Sequence, residues 1–199
     1  ICYSGIGKTV LVNQIQKPIV EQKARFSSGG YDQFQRNIPY IAIIQAFRKL
    51  VQQLLTESKA ILEKWKRRFI ENLGANAQVI IDVIPELSLI IGKQPHPPGL
   101  SSAEAQNRFK LVFQDFVNTF AHKEHPLVIF LDNLQWADTS SLKLIEQLTE
   151  KSGIRYLLLI CAYRSNEVTE AHPLAITLEE IEKTGADVNY IMLKALPFK

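Results

Sequence analysis

A chain of 199 residues with 46% apolar or aromatic residues, 22% charged residues, nine glycines and nine prolines can bury a sizeable core. That composition excludes a disordered, collagen-like or low-complexity protein. Lys and Arg number 23 against 20 Asp and Glu, a net charge of +3, too mild to point to nucleic acid or anionic lipid. The longest uninterrupted apolar run, residues 156–163, is eight residues, where a membrane-spanning helix needs about 20. Cys161 sits inside that run and Cys2 lies far from it, so no disulfide framework is expected and a reducing, cytoplasmic setting fits. The opening Ile-Cys-Tyr has no signal-peptide pattern, and a cut within a longer reading frame is expected there.

Hydrophobic spacing divides the chain into alternating segments. Residues 9–20 read as a helix closing near Lys17-Pro18, and residues 24–30, ending Ser-Ser-Gly-Gly, as a strand running into a turn. Over 40–73, Ile44, Phe47, Val51, Leu54 and Leu55, then Ile61, Leu62, Trp65, Phe69, Ile70 and Leu73, recur at three- and four-residue steps and predict two amphipathic helices. A third helical stretch is expected over 75–84, stopped by Pro85, before the turn-rich loop 92–99. Ser101 and Glu104 form a capping box, and Phe109, Val112, Phe113, Phe116, Val117 and Phe120 predict one apolar helix face over 102–122, a core face.

Residues 126–132, Pro-Leu-Val-Ile-Phe-Leu-Asp, form a continuous apolar run of the kind buried on both faces in a parallel sheet. Asp138 or Thr139 caps a helix through Leu148, residues 156–163 repeat the buried-strand pattern, His172-Pro173 opens a helix to about Lys183, and 188–193 reads as a last strand. This alternation predicts right-handed crossovers and an α/β sandwich.

Residues 3–9, Tyr-Ser-Gly-Ile-Gly-Lys-Thr, head the first helix and match a phosphate-loop pattern at Gly7, Lys8 and Thr9, with the leading glycine replaced by Cys2. Backbone N–H groups over Ser4, Gly5, Ile6, Gly7, Lys8 and Thr9 would wrap a β-phosphate at a helix N-terminus. Lys8 would bridge the β- and γ-phosphates and the Thr9 hydroxyl would ligate Mg²⁺. A glycine-rich turn with a chance Gly-Lys-Thr is the plainer alternative. Asp132, after four apolar strand residues, has the form of a Walker B acid that holds Mg²⁺ through water.

These motifs, with residues 31–40 (Tyr-Asp-Gln-Phe-Gln-Arg-Asn-Ile-Pro-Tyr), 131–138 (Leu-Asp-Asn-Leu-Gln-Trp-Ala-Asp) and 161–167 (Cys-Ala-Tyr-Arg-Ser-Asn-Glu), resemble the AAA-type ATPase domain of the STAND class. The likeness is nearest to the copy inside multi-domain bacterial, especially cyanobacterial, signalling serine/threonine and histidine kinases. It implies one domain over 1–199, truncated at both ends, with a three-layer α/β/α P-loop fold. The implied parallel sheet order is 5-1-4-3-2, with most of the first strand and the lid after the sheet missing. It also implies ATP and Mg²⁺ as cofactors, and the kinase and sensor modules of the same polypeptide as partners. Asn133 stands where the family usually has a second acid to polarise water, so slow hydrolysis is expected. Arg164 matches the position that senses the γ-phosphate.

Other features read more plainly. His122 and His125 lie in a connection without further ligands near them in sequence. Lys64, Lys66, Arg67 and Arg68 read as the solvated side of a helix whose aromatics face the core. Trp136 and Asp138 either line the site or serve as a structural ring and a helix cap. The reading favoured is an ATP-binding switch module. A degenerate nucleotide fold kept as an interaction scaffold is the alternative, and a small phosphotransferase is disfavoured for lack of an acceptor motif.

Overall fold

The computed structural model describes residues 23–150 and 154–193, together with Gln14 and Glu21. The phosphate-loop segment 3–9 and the helix expected over 9–20, apart from Gln14, lie outside the described residues. Three strands, β1 (Arg25–Gly30), β2 (Leu127–Asp132) and β3 (Leu157–Cys161), form a parallel sheet of order β1-β2-β3. Gly30 pairs with Asp132 and Leu131 with Cys161. These are the strands expected over 24–30, 126–132 and 156–163, side by side as in the 4-3-2 part of the expected order. The position of the first strand lies outside the described residues.

The strand expected over 188–193 is not formed: that segment has no regular structure, and Ile191 and Met192 are exposed. In the expected order it pairs only with the first strand. With Tyr190, Ile191 and Met192 all exposed, the apolar pattern buries nothing that would hold this segment extended in a sheet.

The run over 127–131 is buried at every residue because β2 has neighbours on both edges and packing on both faces. Leu127, Ile129 and Leu131 join the main core, while Val128 and Phe130 meet Phe26 and Ala162 in a smaller cluster. That division follows the two-residue alternation of a strand. β3, at the end of the described sheet, is less covered, with Leu158 54% exposed.

The two helices expected over 40–73 are α1 (Ile41–Leu54) and α2 (Lys59–Leu73). The third stretch is shorter than expected, α3 (Ala77–Ile81), and is followed by a 3-10 turn at Pro85–Leu87 and a single turn, α4 (Ser88–Ile91). Then come α5 (Ser102–Phe120), α6 (Thr139–Thr149) and α7 (Pro173–Lys183). The Glu104 carboxylate accepts from the Ser101 N–H at 3.0 Å and from its hydroxyl at 2.6 Å, closing the capping box. Phe47 meets Phe113 edge-on at 5.2 Å between centroids, Phe69 stacks on Phe116 at 5.7 Å, and Phe120 meets Trp65 at 5.3 Å. This aromatic block welds α1, α2 and α5 into one layer. Arg25 and Arg68 lie over the Trp65 ring, covering the buried indole while the rest of the basic cluster is partly or fully exposed.

The layer rests on β1 because β1 is small. Ser27 and Gly29, two residues apart on one face of β1, lie against a helix whose own contact residues, Ala42 and Ala46, are fully buried. The Ser27 hydroxyl donates to the Ala46 carbonyl at 2.7 Å. A Cβ at Gly29 would stand 1.8 Å from the Ala42 carbonyl oxygen, whereas at Gly30 its nearest neighbour is the Asp132 Cβ at 3.9 Å. Gly29→Ala is therefore expected to destabilise the chain by about 1–3 kcal/mol, the range for an overpacked core, and Gly30→Ala to leave it almost unchanged. Denaturant midpoints of the two variants check this, and equal midpoints would refute the close approach.

Candidate functional site

Parallel strands end on a common edge, and in open α/β sheets ligands bind outside the carboxyl ends of the strands. Three of the sequence-predicted site residues lie there: Asp132 ends β2, Asn133 follows it, and Arg164 follows β3. Ser4, Gly5, Ile6, Gly7, Lys8 and Thr9 lie outside the described residues.

Backbone bonds knit the three strand ends together. The Tyr31 N–H donates to the Asp132 carbonyl at 3.0 Å, Ala162 N–H to the Leu131 carbonyl at 2.9 Å, and Leu134 N–H to the Ala162 carbonyl at 3.0 Å. At Asn133 the chain turns through the left-handed region, φ 56° and ψ 44°, a conformation asparagine tolerates better than most residues. Its N–H donates to Asp132 Oδ1 at 2.8 Å, and its side-chain Nδ2 reaches the Tyr31 carbonyl at 3.4 Å. Asp132 is half-buried. A hard carboxylate in that setting is the donor chemistry Mg²⁺ takes, singly and with water completing its shell, so the residue fits the ion the motif implies.

The 31–40 loop is fastened at both ends. Tyr31 is buried, its hydroxyl near Ser141 but outside bonding geometry, and burial raises its phenol well above the ordinary range. At the other end Tyr40, φ 63°, donates its N–H to Ser141 Oγ at 3.0 Å and to Asp138 Oδ2 at 3.3 Å. Asp138 also accepts from the Ser141 N–H at 2.9 Å and from the Ser141 hydroxyl, so it caps α6 and anchors the loop at once. Phe34, between the anchors, is 86% exposed. Asp138 thus takes the structural role.

Arg164 is held from three directions. Its Nη1 donates to Glu167 Oε1 at 2.7 Å, its guanidinium lies 5.0 Å from the Trp136 ring centroid, and its backbone N–H donates to Gln135 Oε1 at 3.3 Å. The sequence reading weighed Trp136 for the site and missed Glu167 and Gln135. The signal for Glu167 was its place three residues after Arg164, helical spacing that the 3-10 turn at Ser165–Glu167 realises. The Arg164 hydrogen bond and charge hold the Glu167 carboxyl below the ordinary range against desolvation, with smaller help from the Gln135 and Trp136 side chains. Gln135 Nε2 lies near that carboxylate but outside hydrogen-bonding geometry among the described residues.

Elsewhere, His122 and His125 bond to each other's backbone, and their rings reach the Thr119 and Lys23 carbonyls at 3.0 Å. No cluster of three or more metal-ligating side chains occurs among the described residues. No helix among them is long and apolar enough to cross a membrane.

The profile of a family described as "AAA ATPase domain" matches residues 3–160. The chain is 47% identical over 149 residues to "Hybrid signal transduction histidine kinase G" of Dictyostelium discoideum, a match covering 75% of this chain and 4% of that protein. It is 22% identical over 158 residues to "Histidine protein kinase 1" of Candida albicans, covering 71% of this chain and 6% of that protein. The chain therefore spans only a small part of the curated relatives it matches. No solved structure matches it.

Because the folded pKa of Glu167 is depressed, the stabilisation from its pair with Arg164 is present above the ordinary glutamate range and lost as pH falls through the lowered value. Carboxyl-carbon NMR should find Glu167 titrating below the usual value of about 4.3, and Arg164→Ala should move it upward. A titration insensitive to Arg164 would contradict the pairing.

Proposed function

The chain belongs to the AAA ATPase domain family, and we propose that it is the ATP–Mg²⁺-binding switch module of a multi-domain signalling histidine kinase. Asp132 and Arg164, brought to one strand edge with Asn133 between β1 and β3, are the observation that carries this reading. The histidine-kinase context rests on the two relatives, both named as such kinases. STAND-class membership, a bacterial source and a serine/threonine kinase module in the same polypeptide are parts of the proposal that rest on the motif resemblance alone, and a cytoplasmic setting is a part that rests on the cysteine usage.

In this module the backbone from Ser4 to Thr9 cradles the phosphates and Lys8 neutralises the β- and γ-oxygens. Thr9 and Asp132 hold Mg²⁺, directly and through water, and the ion when bound offsets negative charge on the phosphates. Arg164 contacts the γ-phosphate and so distinguishes triphosphate from diphosphate. Asn133 can orient a water but cannot accept its proton, which makes hydrolysis slow and suits a switch that dwells in the bound state. The three-layer P-loop architecture belongs to the same proposal.

Calorimetric titration with ATP and Mg²⁺ tests the binding: Lys8→Ala is expected to lose about 2–3 kcal/mol, as for a charge-assisted contact. Unchanged affinity would remove Lys8 from the site and favour the alternative, a degenerate nucleotide fold acting as an interaction scaffold.

Asn133→Asp restores the second acid. Aspartate also tolerates the left-handed backbone, and the bond given up to the Tyr31 carbonyl is a long one, 3.4 Å. Single-turnover phosphate release should accelerate about a hundredfold, the usual contribution of a positioned general base. No gain would mean that Asn133 does not stand at the water position or that another group serves there.

A further inference from the structure

The Arg164 guanidinium is built into its place. Glu167 takes Nη1 at 2.7 Å, the Trp136 ring lies 5.0 Å beneath the guanidinium, and Gln135 fixes the backbone at the root of the side chain. Its side chain is only 25% exposed and that of Glu167 30%. Nε and Nη2 hold no partner among the described residues, so two donors on one side of a fixed plane remain for a ligand. A planar fork with parallel N–H groups is the geometry that grips two oxygens of one phosphate.

Both partners come from segments already locked to the strand ends. Trp136 closes the 3-10 turn after Asn133, its N–H donating to the Asn133 carbonyl at 2.9 Å, and Glu167 closes the turn after Arg164, its N–H donating to the Arg164 carbonyl at 3.1 Å. Gln135, 3% exposed, bridges the two turns through its bond to the Arg164 N–H. The loop bearing Asp132 and the loop bearing Arg164 are therefore coupled through the Trp136–Arg164–Glu167 stack.

We infer that Glu167 and Trp136 are positioning residues that hold Arg164 rigid, with its Nε and Nη2 presented to a nucleotide γ-phosphate. This rests on the assignment of Arg164 to the γ-phosphate made above. Fixing a long side chain before the ligand arrives removes an ordering cost of about two- to tenfold in affinity, the fold-change for one immobilised side chain. A diphosphate lacks the group that Arg164 contacts, so the benefit falls on ATP and not on ADP.

The test measures ATP and ADP affinities with Mg²⁺ by calorimetry on the full chain, for Arg164→Ala, Glu167→Ala, Glu167→Gln and the double variant Arg164→Ala/Glu167→Ala. Arg164→Ala is expected to weaken ATP about tenfold or more relative to ADP, the scale of a hydrogen bond to a charged group. Glu167→Ala is expected to lower the ATP-to-ADP ratio about three- to tenfold. Glu167→Gln, whose amide oxygen still accepts from Nη1, should restore most of that ratio. In the double variant the Glu167 effect should vanish, because it acts only through Arg164.

An ATP-to-ADP ratio that holds or rises in Glu167→Ala while collapsing in Arg164→Ala would overturn the positioning role and leave the Arg164 assignment standing. A ratio unmoved by Arg164→Ala would overturn both. Equal loss of ATP and ADP in Glu167→Ala would reduce Glu167 to a structural brace and equally refute the inference.

Discussion

Everything at the strand edge is registered by β2. Its residues pair with β1 from Leu127 to Asp132 and with β3 from Leu127 to Leu131. With Leu127, Ile129 and Leu131 set in the main core and Val128 and Phe130 in the smaller cluster, a slip of one residue would exchange the two sets and move Asp132 off the edge. Burial on both faces thus fixes where one carboxylate sits. The loops after β1 and β3 are hung on the same strand by the bonds of Tyr31, Ala162 and Leu134.

The helical layer serves that arrangement from one side. α1 can lie close on β1 only because serine and glycine face alanine there, and the aromatic block formed by Phe47, Phe69, Phe113, Phe116 and Phe120 holds α2 and α5 against it. Tyr40 joins this layer to the site: its ring lies tilted against Phe109 at 4.7 Å between centroids while its N–H is bonded to Asp138 and Ser141. Tyr40 thus ties the end of the 31–40 loop both to the helix layer and to the start of α6.

Strands 24–30, 126–132 and 156–163 and helix 102–122 were legible in the sequence because their patterns are long and undivided: a buried run, a capping box, a phenylalanine face. The stretch 188–193 misled because an apolar pattern reports what a residue could bury, whereas Tyr190, Ile191 and Met192 stay exposed. At the edge, Asp132 and Arg164 could be named from motif position, but not the hold on Arg164. Glu167 is an ordinary acid in sequence, and its meaning comes from a 3-10 turn that folds it back onto the guanidinium. Gln135 gives no pattern at all, since its contact reaches across from the β2 loop to the β3 loop.

The central claim is that the carboxyl edge of the sheet receives a nucleotide, and hydrogen exchange of the full chain with and without ATP and Mg²⁺ tests it most directly. The account predicts slowed exchange at residues 30–40, 132–136 and 162–167 on adding nucleotide, with the opposite edge, 122–126 and 155–157, unchanged. Protection confined to that opposite edge, or no change at 132–136 under saturating ATP, would contradict it.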